Sequence, residues 1–386
     1  MNEPLVTIVT PSFNQGHFIE ATIESVLSQD YPRIEYIIMD GGSTDSTGAV
    51  AARYEGRLTY ISEKDRGQTH AINKGFQRAR GEIVAWLNSD DTLLPGAVST
   101  AVKALHDNPG AAAIYGDGYQ IDYDGKIKQK FPATEPFNLW KLTFVIDYVL
   151  QQSVFFRREC VEQAGWLDES LHFGMDWDIL VRLGKRWGLA YVPETLGCLR
   201  EYAEAKSFAG GERRFAELSR IVRSHTGERF PPGWWIYGLD TYDKIWGERI
   251  RSVLGNYAAD RFIHLCRGVI DRKHNFSQGL YADGWTMERL HWMLPGSVKA
   301  IQIDGHNPGW APAFQRQRLR VFANGLEAGS VEPATGDFSA RVELPHALEA
   351  PVLRIEAAVA VSPRDAGASS DARRLAWQLR SIRGAD

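Results

Sequence analysis

Four stretches in the first 120 residues are apolar along nearly their whole length: LVTIVT (5–10), IEYIIMD (34–40), GEIVAWL (81–87) and AAAIYGD (111–117). A strand with one face in water alternates apolar and polar side chains, whereas a strand covered on both faces does not. Between these runs lie segments of helical spacing. In GHFIEATIESVLSQ, for example, Phe18, Ile19, Ile23, Val26 and Leu27 recur on one side. Strand–helix–strand alternation of this kind predicts an α/β domain over residues 1–205. Its sheet should be Rossmann-like and mainly parallel, with helices on both faces.

The remaining pattern differs. Residues 206–274 read as an amphipathic helical segment, for example GERRFAELSRIVRSH, with FPPGWWIYG (230–238) as a break between helices. From 275 to 386 the chain carries short alternating runs, VKAIQID, LRVFANG, FSARVEL, VLRIEAAVAV and RRLAWQL, separated by Gly, Pro and Asn. This pattern predicts an all-β sandwich, and FANGLEAG holds the Asn-Gly pair of a hairpin turn. Trp285, Trp292 and Trp310 fall in this part. They are either sugar-stacking aromatics or packing residues.

A formal net charge of −4 over 386 residues gives no basic face for nucleic acid. Cys160, Cys198 and Cys266 are scattered, which fits a reducing compartment without a disulfide framework. The opening MNEPLVTIVTPSF lacks the basic-then-apolar pattern of a signal peptide. No run reaches the roughly 18 apolar residues that would span a bilayer. The expected location is cytoplasmic, and peripheral contact with the inner membrane face is compatible with it.

Polar clusters follow three of the strands, where open α/β sheets bind ligands. PSFNQG (11–16) follows the first. DGGSTDST (40–47) follows the second, and its glycine turn into a helix would offer free N–H groups to a phosphate. Asn88, Ser89, Asp90 and Asp91 follow IVAWL. Adjacent carboxylates at a strand end need a counter-charge. Mg²⁺ or Mn²⁺, held by one or two carboxylates plus substrate phosphates, would supply it. The plainer readings are an ordinary βα turn at 40–47 and a helix cap by Asp91 on TLLPGAVSTAV.

Taken together, VTIVTPSFNQGHFIEATIESVLSQDYPRIEYIIMDGGSTDST, SEKDRGQTHAINKGFQRARGEIVAWLNSDD and AGWLDESLHFGMDWDILVRLGKRWG resemble the GT-A-fold glycosyltransferases of family 2. The resemblance covers about residues 4–205. It implies inverting transfer of a sugar from a UDP- or GDP-linked donor to a hydroxyl of a glycan or lipid-linked acceptor. Pro11, Phe13 and Asn14 would line the donor site, with Phe13 against the base. Asp40 would hydrogen-bond the base, and Asp65 would be a further acidic donor contact. The family's Asp-x-Asp metal motif reads Asn88-Ser89-Asp90 here. This makes Asp90 the implied metal ligand and Asp91 a second candidate, with Asn88 and Ser89 at the nucleotide. The family's Glu-Asp pair reads Met175-Asp176, so Asp176 is the implied base and the Glu is absent. Lys206 and Arg200 are available for the diphosphate. The Gln-x-x-Arg-Trp motif and membrane helices of processive synthases are not found.

The chemistry of such a transfer asks for the same groups. A sugar hydroxyl needs a carboxylate base, and the departing diphosphate needs positive charge. In a helix over DWDILVRLGKRW, Asp176 and Asp178 lie about 200° apart, so only one can face the site. Ile179, Leu180 and Leu183 mark the buried side and leave Asp176 at the helix mouth. A cap on this helix is the plainer role for Asp176. Asn88 and the missing Glu also suit a catalytically weak nucleotide-sugar or glycan-binding scaffold. A nucleotidyltransferase would need a Gly-rich basic loop after the first strand, and PSFNQG lacks one.

Overall fold

The computed structural model describes residues 3–202, 206, 210–255, 257–258, 260–261, 264–265 and 278–385. The chain forms two compact units. The first comprises Met1–Phe137 and Ile146–Trp246, and the second Asn138–Val145 and Gly247–Asp386. The boundary expected at 205 therefore falls inside the first unit, because the helix Gly211–Thr226 packs there. Residues 266–274 of the expected helical segment, Cys266 among them, lie outside the described residues.

In the first unit, the apolar runs become β1 (Val6–Ser12), β2 (Ile34–Asp40), β4 (Ile83–Trp86) and β6 (Ala113–Ile121). Five further strands complete the sheet: β3 (Thr59–Ser62), β5 (Thr92–Leu93), β7 (Ile127–Lys130), β8 (Phe155–Arg157) and β9 (Leu189–Arg200). Their order is β3-β2-β1-β4-β8-β6-β9-β5, with β7 beside β6. The β3-β2-β1-β4 block and the β6–β9 pair are parallel. β8 inserts antiparallel between β4 and β6, too short a strand to show in the sequence pattern. This is the expected α/β class.

Helices cover both faces. Ile19, Ile23 and Val26 of α1 (Ile19–Leu27) pack with Ala97, Val98 and Ala101 of a helix over Ala97–Asp107 on the side chains of Ile8, Ile38 and Ala85. On the opposite face, Gly75 of the helix Gln68–Arg78 sits so close to Val9 and Met39 that a Cβ would lie 2.4 Å from Val9. Trp86 stacks on Phe156 at 5.3 Å and meets Phe76 edge-on at 6.0 Å. Each fully buried Ile or Val in such a core contributes about 1.5–3 kcal/mol. Continuous apolar strands are the consequence of this two-sided cover.

A glycine pair shapes the sheet around the site. Gly118 of β6 pairs with Gly197 of β9. A Cβ on Gly118 would lie 2.1 Å from the Gly197 carbonyl and 2.3 Å from Leu150, and one on Gly197 would lie 2.7 Å from the Gln152 carbonyl. The absence of both side chains lets the 3-10 turn Gln151–Ser153 lie against the two strands. Gly118→Ala is expected to push this turn away and cost about 1–3 kcal/mol. Thermal unfolding measures the loss, and an unchanged midpoint would contradict the packing described.

The FPPGWWIYG stretch differs from expectation. The chain breaks only up to Pro231, and a helix runs from Pro232 to Leu254. Proline is tolerated at the first helical position, where its missing N–H would be unpaired anyway.

The second unit is the expected β-sandwich. One sheet has the order β10-β15-β12-β13 and the other β14-β11-β16. The strands are β10 (Arg289–Met293), β11 (Ser297–Asn307), β12 (Leu319–Ala323), β13 (Leu326–Val331), β14 (Gly336–Glu349), β15 (Val352–Ala357) and β16 (Gln378–Ala385). Both sheets contribute to one core around the fully buried Trp377. The Asn-Gly hairpin is formed as expected: Asn324 and Gly325 both take positive φ, 48° and 83°, between β12 and β13. Trp292 packs on this core, and Trp310 meets Phe314 at 4.8 Å. Trp285, Trp292 and Trp310 are all partly buried. That fits packing better than an open sugar platform.

Candidate active site

The strand ends of the first unit surround a cavity of about 990 Å³. Pro11, Phe13, Asp65, Asn88, Ser89, Asp90, Asp91, Asp176 and Lys206 all line it. They come from five separate stretches of sequence.

Asp90 and Asp91 occupy different environments. α1 fixes their turn, because the Thr22 hydroxyl donates to the carbonyls of Ser89 (2.9 Å) and Asp91 (2.7 Å). Asp91 is buried. One of its oxygens accepts the Arg200 N–H at 2.9 Å, and the other accepts Gln152 Nε2 at 2.6 Å and Asn88 Nδ2 at 2.9 Å. Burial and the neighbouring Asp90 charge push its carboxyl up to about 7, against those donors. Asp90 is partly open. Its Oδ2 accepts the Tyr202 hydroxyl at 2.8 Å. Burial raises its pKa, and the Tyr202 hydroxyl and the Arg200 charge oppose the rise. Helix capping by Asp91 is not seen, since the next helix starts only after Gly96.

A chain of amides runs from this turn across the cavity wall. Asn88 Oδ1 accepts Gln68 Nε2 at 2.6 Å, and Gln68 Oε1 accepts Lys206 Nζ at 2.7 Å. Burial lowers the Lys206 pKa to about 8, partly offset by the Asp176 and Glu217 charges.

Asp176 lies in the first turn of the helix Met175–Arg186. Its Oδ1 accepts its neighbour's N–H, from Trp177, at 2.9 Å. Burial raises its pKa, opposed by that bond and by the Lys206 and Arg214 charges. The helix start is held by a different carboxylate: Glu217 accepts from the N–H groups of His172, Phe173 and Gly174 at 2.6–2.9 Å. Asp176 is thus not needed as the cap. Asp178 points away, paired with Arg182 at 2.8 Å and His225 at 2.9 Å.

The model of the family described as "Glycosyl transferase family 2" matches residues 7–161. An uncharacterized glycosyltransferase of Mycobacterium tuberculosis is 30% identical over 229 residues, which span 56% of this chain and 85% of the relative. The chain belongs to glycosyl transferase family 2. A putative teichuronic acid biosynthesis glycosyltransferase of Bacillus subtilis, TuaG, is 43% identical over 94 residues, 23% of this chain and 37% of that one. Among solved structures, Staphylococcus aureus TarS 1–349 in complex with UDP-GlcNAc has a TM-score of 0.47 at 15% identity, covering 58% of this chain and 68% of that chain. The chain spans 27–57% of the length of the first curated relatives it matches.

Several residues implied by the family pattern take other positions in this family-2 chain. Asn14 and Asp40 do not line the cavity. Asn14, at φ 53°, donates its N–H to Ser43 Oγ at 2.7 Å and accepts from the Thr44 N–H at 2.9 Å. Asp40 is buried and accepts from the Gly42 and Ser43 N–H groups and the Ser43 and Ser62 hydroxyls. Burial pushes its carboxyl up, but these donors outweigh it and hold it below the usual range. Asn14 stitches the two loops together, while Asp40 holds its own turn against Ser62 of β3. The phosphate cradle expected at 40–47 is also already filled, because Asp40, Asn14 and Asp45 take its N–H groups. Gly41 reaches the cavity instead, and a Cβ there would lie 2.8 Å from Asp65 Oδ2. Phe13 stands 61% exposed at the rim of the cavity. The second metal candidate, Asp91, has both oxygens engaged by protein donors, unlike Asp90. Arg200 is likewise engaged: its guanidinium bonds the carbonyls of Asp90, Asp122 and Tyr123. Gln68, Gln152, Tyr202, Arg214 and Asp147 also line the cavity. No motif spacing marks them, and all but Gln68 lie beyond the motif segments near the strand ends.

A divalent cation fits Asp90. Among the described residues, no group of three or more His, Cys, Asp and Glu side chains could hold a metal alone. A single open carboxylate at a strand end suits a cation completed by substrate phosphates.

Proposed function

We propose that this chain is an inverting, metal-dependent glycosyltransferase that moves a sugar from a nucleotide diphosphate to an acceptor hydroxyl in glycan assembly. One observation carries the reading: a single cavity gathers Asp90 and Asp176, 86 positions apart in sequence, on separate wall segments. Asp90 would hold Mn²⁺ or Mg²⁺, which neutralises charge on a diphosphate. Asp176 would be the base that takes the acceptor's proton. Phe13 offers a face to the nucleotide base. Lys206 adds positive charge beside Asn88 through Gln68. The name of TuaG, a putative teichuronic acid biosynthesis glycosyltransferase, agrees with glycan assembly.

The acceptor class proposed is a glycan or lipid-linked glycan. No described helix is long and apolar enough to cross a membrane. Titration calorimetry of UDP and GDP, with and without Mn²⁺, tests the donor half. Metal-dependent binding of one nucleotide supports it. Failure of both to bind, with any metal, would leave the scaffold reading in its place.

The amine of Lys206 supplies a pH test. Anion binding favours its charged form, and that form is lost as pH rises through about 8. Affinity for the nucleotide diphosphate is therefore expected to be full below that pH and to fall above it. In Lys206→Arg the fall should disappear, since guanidinium keeps its proton. A wild-type affinity flat across this range would remove Lys206 from the donor site.

A further inference from the structure

Lys64, Arg200, Lys206 and Arg214 are the lysines and arginines that line the cavity. The Arg200 guanidinium bonds three carbonyls, Lys206 donates to Gln68, and Lys64 is exposed on the loop after β3. Arg214 differs. Its side chain is only 24% exposed, yet its guanidinium donates to no group among the described residues. Its ion pair with Asp240 spans 3.9 Å, beyond hydrogen-bond reach, and Asp240 is partly in solvent. Such a contact contributes little.

The local sequence fixes where this guanidinium stands. Arg214, Glu217, Leu218 and Ile221 recur at i, i+3, i+4 and i+7 of the helix Gly211–Thr226, so they share one face. That face presses on the start of the helix Met175–Arg186. Glu217 accepts the N–H groups of residues 172–174, and a Cβ on Gly174 would lie 2.6 Å from Ile221 and 2.8 Å from Leu218. Asp176 stands in the first turn of that second helix, so Arg214 is held in register with it. The Tyr237 ring supports the guanidinium, whose centre lies 5.6 Å from the ring centroid. The ring is itself held. Its hydroxyl accepts the Asp147 N–H at 3.2 Å, and it packs on Trp177, the neighbour of Asp176, at 5.2 Å. Burial raises the pKa of Asp176 and of Tyr237, and the Arg214 charge opposes the rise in both.

We propose that Arg214 is a specificity residue that receives an anionic group of the acceptor, a carboxylate or a phosphate, beside the hydroxyl that Asp176 deprotonates. The anion site rests on the cluster around Tyr237, and its use for an acceptor rests on the transferase reading. A guanidinium has five donors and no acceptor, and its fork matches two oxygens of a carboxylate or phosphate. A neutral sugar hydroxyl takes one of these bonds but leaves a partly buried charge without a counter-ion. Asp176 cannot fill that role through the reaction. It makes no hydrogen bond to Arg214, and its charge is lost as it takes the acceptor's proton. An anion on the acceptor keeps Arg214 compensated at that moment. The donor's diphosphate has its own partners in Asp90 and the Lys206–Gln68–Asn88 chain.

The test reads Arg214 directly. Full-length chain labelled with ¹⁵N-arginine is followed by NMR at the side-chain Nε–Hε signals, with Arg214 assigned by its loss in Arg214→Lys and Arg214→Gln. The probes are glucuronate, glucose 6-phosphate and neutral glucose, each added with and without UDP or GDP and Mn²⁺. Glucuronate, glucose 6-phosphate or both are expected to move the signal, with affinity about tenfold or more above that of glucose. Which of the two binds distinguishes a carboxylate from a phosphate. By calorimetry the preference for the anion should vanish in Arg214→Gln. It should shrink in Arg214→Lys, which keeps the charge without the fork. If Arg214→Gln folds poorly, the wild-type signal and Arg214→Lys decide. The proposal is overturned if neither anion moves the signal, or if the preference survives Arg214→Gln. It is also overturned if the nucleotide displaces the anion, which would give Arg214 to the donor. A chain that binds the anion but no nucleotide would remove the acceptor role together with the transferase reading and leave the anion site standing.

Discussion

Asp176→Asn is expected to slow sugar transfer by roughly 10²–10⁴-fold while leaving nucleotide affinity nearly unchanged. Asparagine keeps the size of the side chain and can keep the hydrogen bond from the Trp177 N–H. It cannot take a proton. The helix itself should survive, because Glu217 rather than Asp176 satisfies the free N–H groups ahead of it. The measurement is a pair of numbers on one preparation: the rate of nucleotide release in the presence of acceptor, and nucleotide affinity by calorimetry. If both fall together, Asp176 holds the structure and is not the base. If neither falls, the base is elsewhere on the cavity wall.

The second large effect concerns Asp90. Asp90→Ala removes the one acidic side chain of the strand-end turn that still has an open oxygen. Loss of a metal-held charge at a leaving diphosphate is expected to cost about 10²–10³-fold in transfer. Mn²⁺ should then no longer strengthen nucleotide binding. Asp91→Asn is the informative contrast. Its carboxylate binds Arg200, Gln152 and Asn88, so its loss should lower the melting temperature. Each hydrogen bond to a charged group is worth about 1.5–3 kcal/mol. An Asp90→Ala chain that keeps metal-dependent binding would move the cation to another ligand.

The parts of this molecule that could be read from sequence are those set by local pattern. Continuous apolar runs gave the positions of β1, β2, β4 and β6, because strand period and two-sided burial act on neighbouring residues. Asn324-Gly325 gave its hairpin for the same reason: the turn needs two left-handed residues in succession. The helix over 175–186 separated Asp176 from Asp178 by angle alone. Other features depend on distant partners. β8 is three residues long and owes its place to β4 and β6 on either side. Asn14 and Asp40 look like ligand contacts by position, yet Asn14 finds its donor in the loop opposite and Asp40 finds its own in its turn and on β3. Arg200 reads as a free cation near the site, and only the fold shows its guanidinium spent on three carbonyls. Asp147 carries no motif at all, and only the fold brings it to the cavity wall.

The bond between Asp91 and the Arg200 N–H joins residues 109 apart. Tyr202, which holds Asp90, lies later still. A ribosome adding about 5–20 residues per second therefore makes the acidic turn roughly 5–20 s before the strand that secures it. During that interval the two aspartates lack the partners that set their orientation, and closing so long a loop is slow in itself. The site is thus a late product of synthesis. A half-made chain can shape its β1–β4 core, but it cannot yet grip a charged nucleotide, so chemistry waits for the complete catalytic sheet.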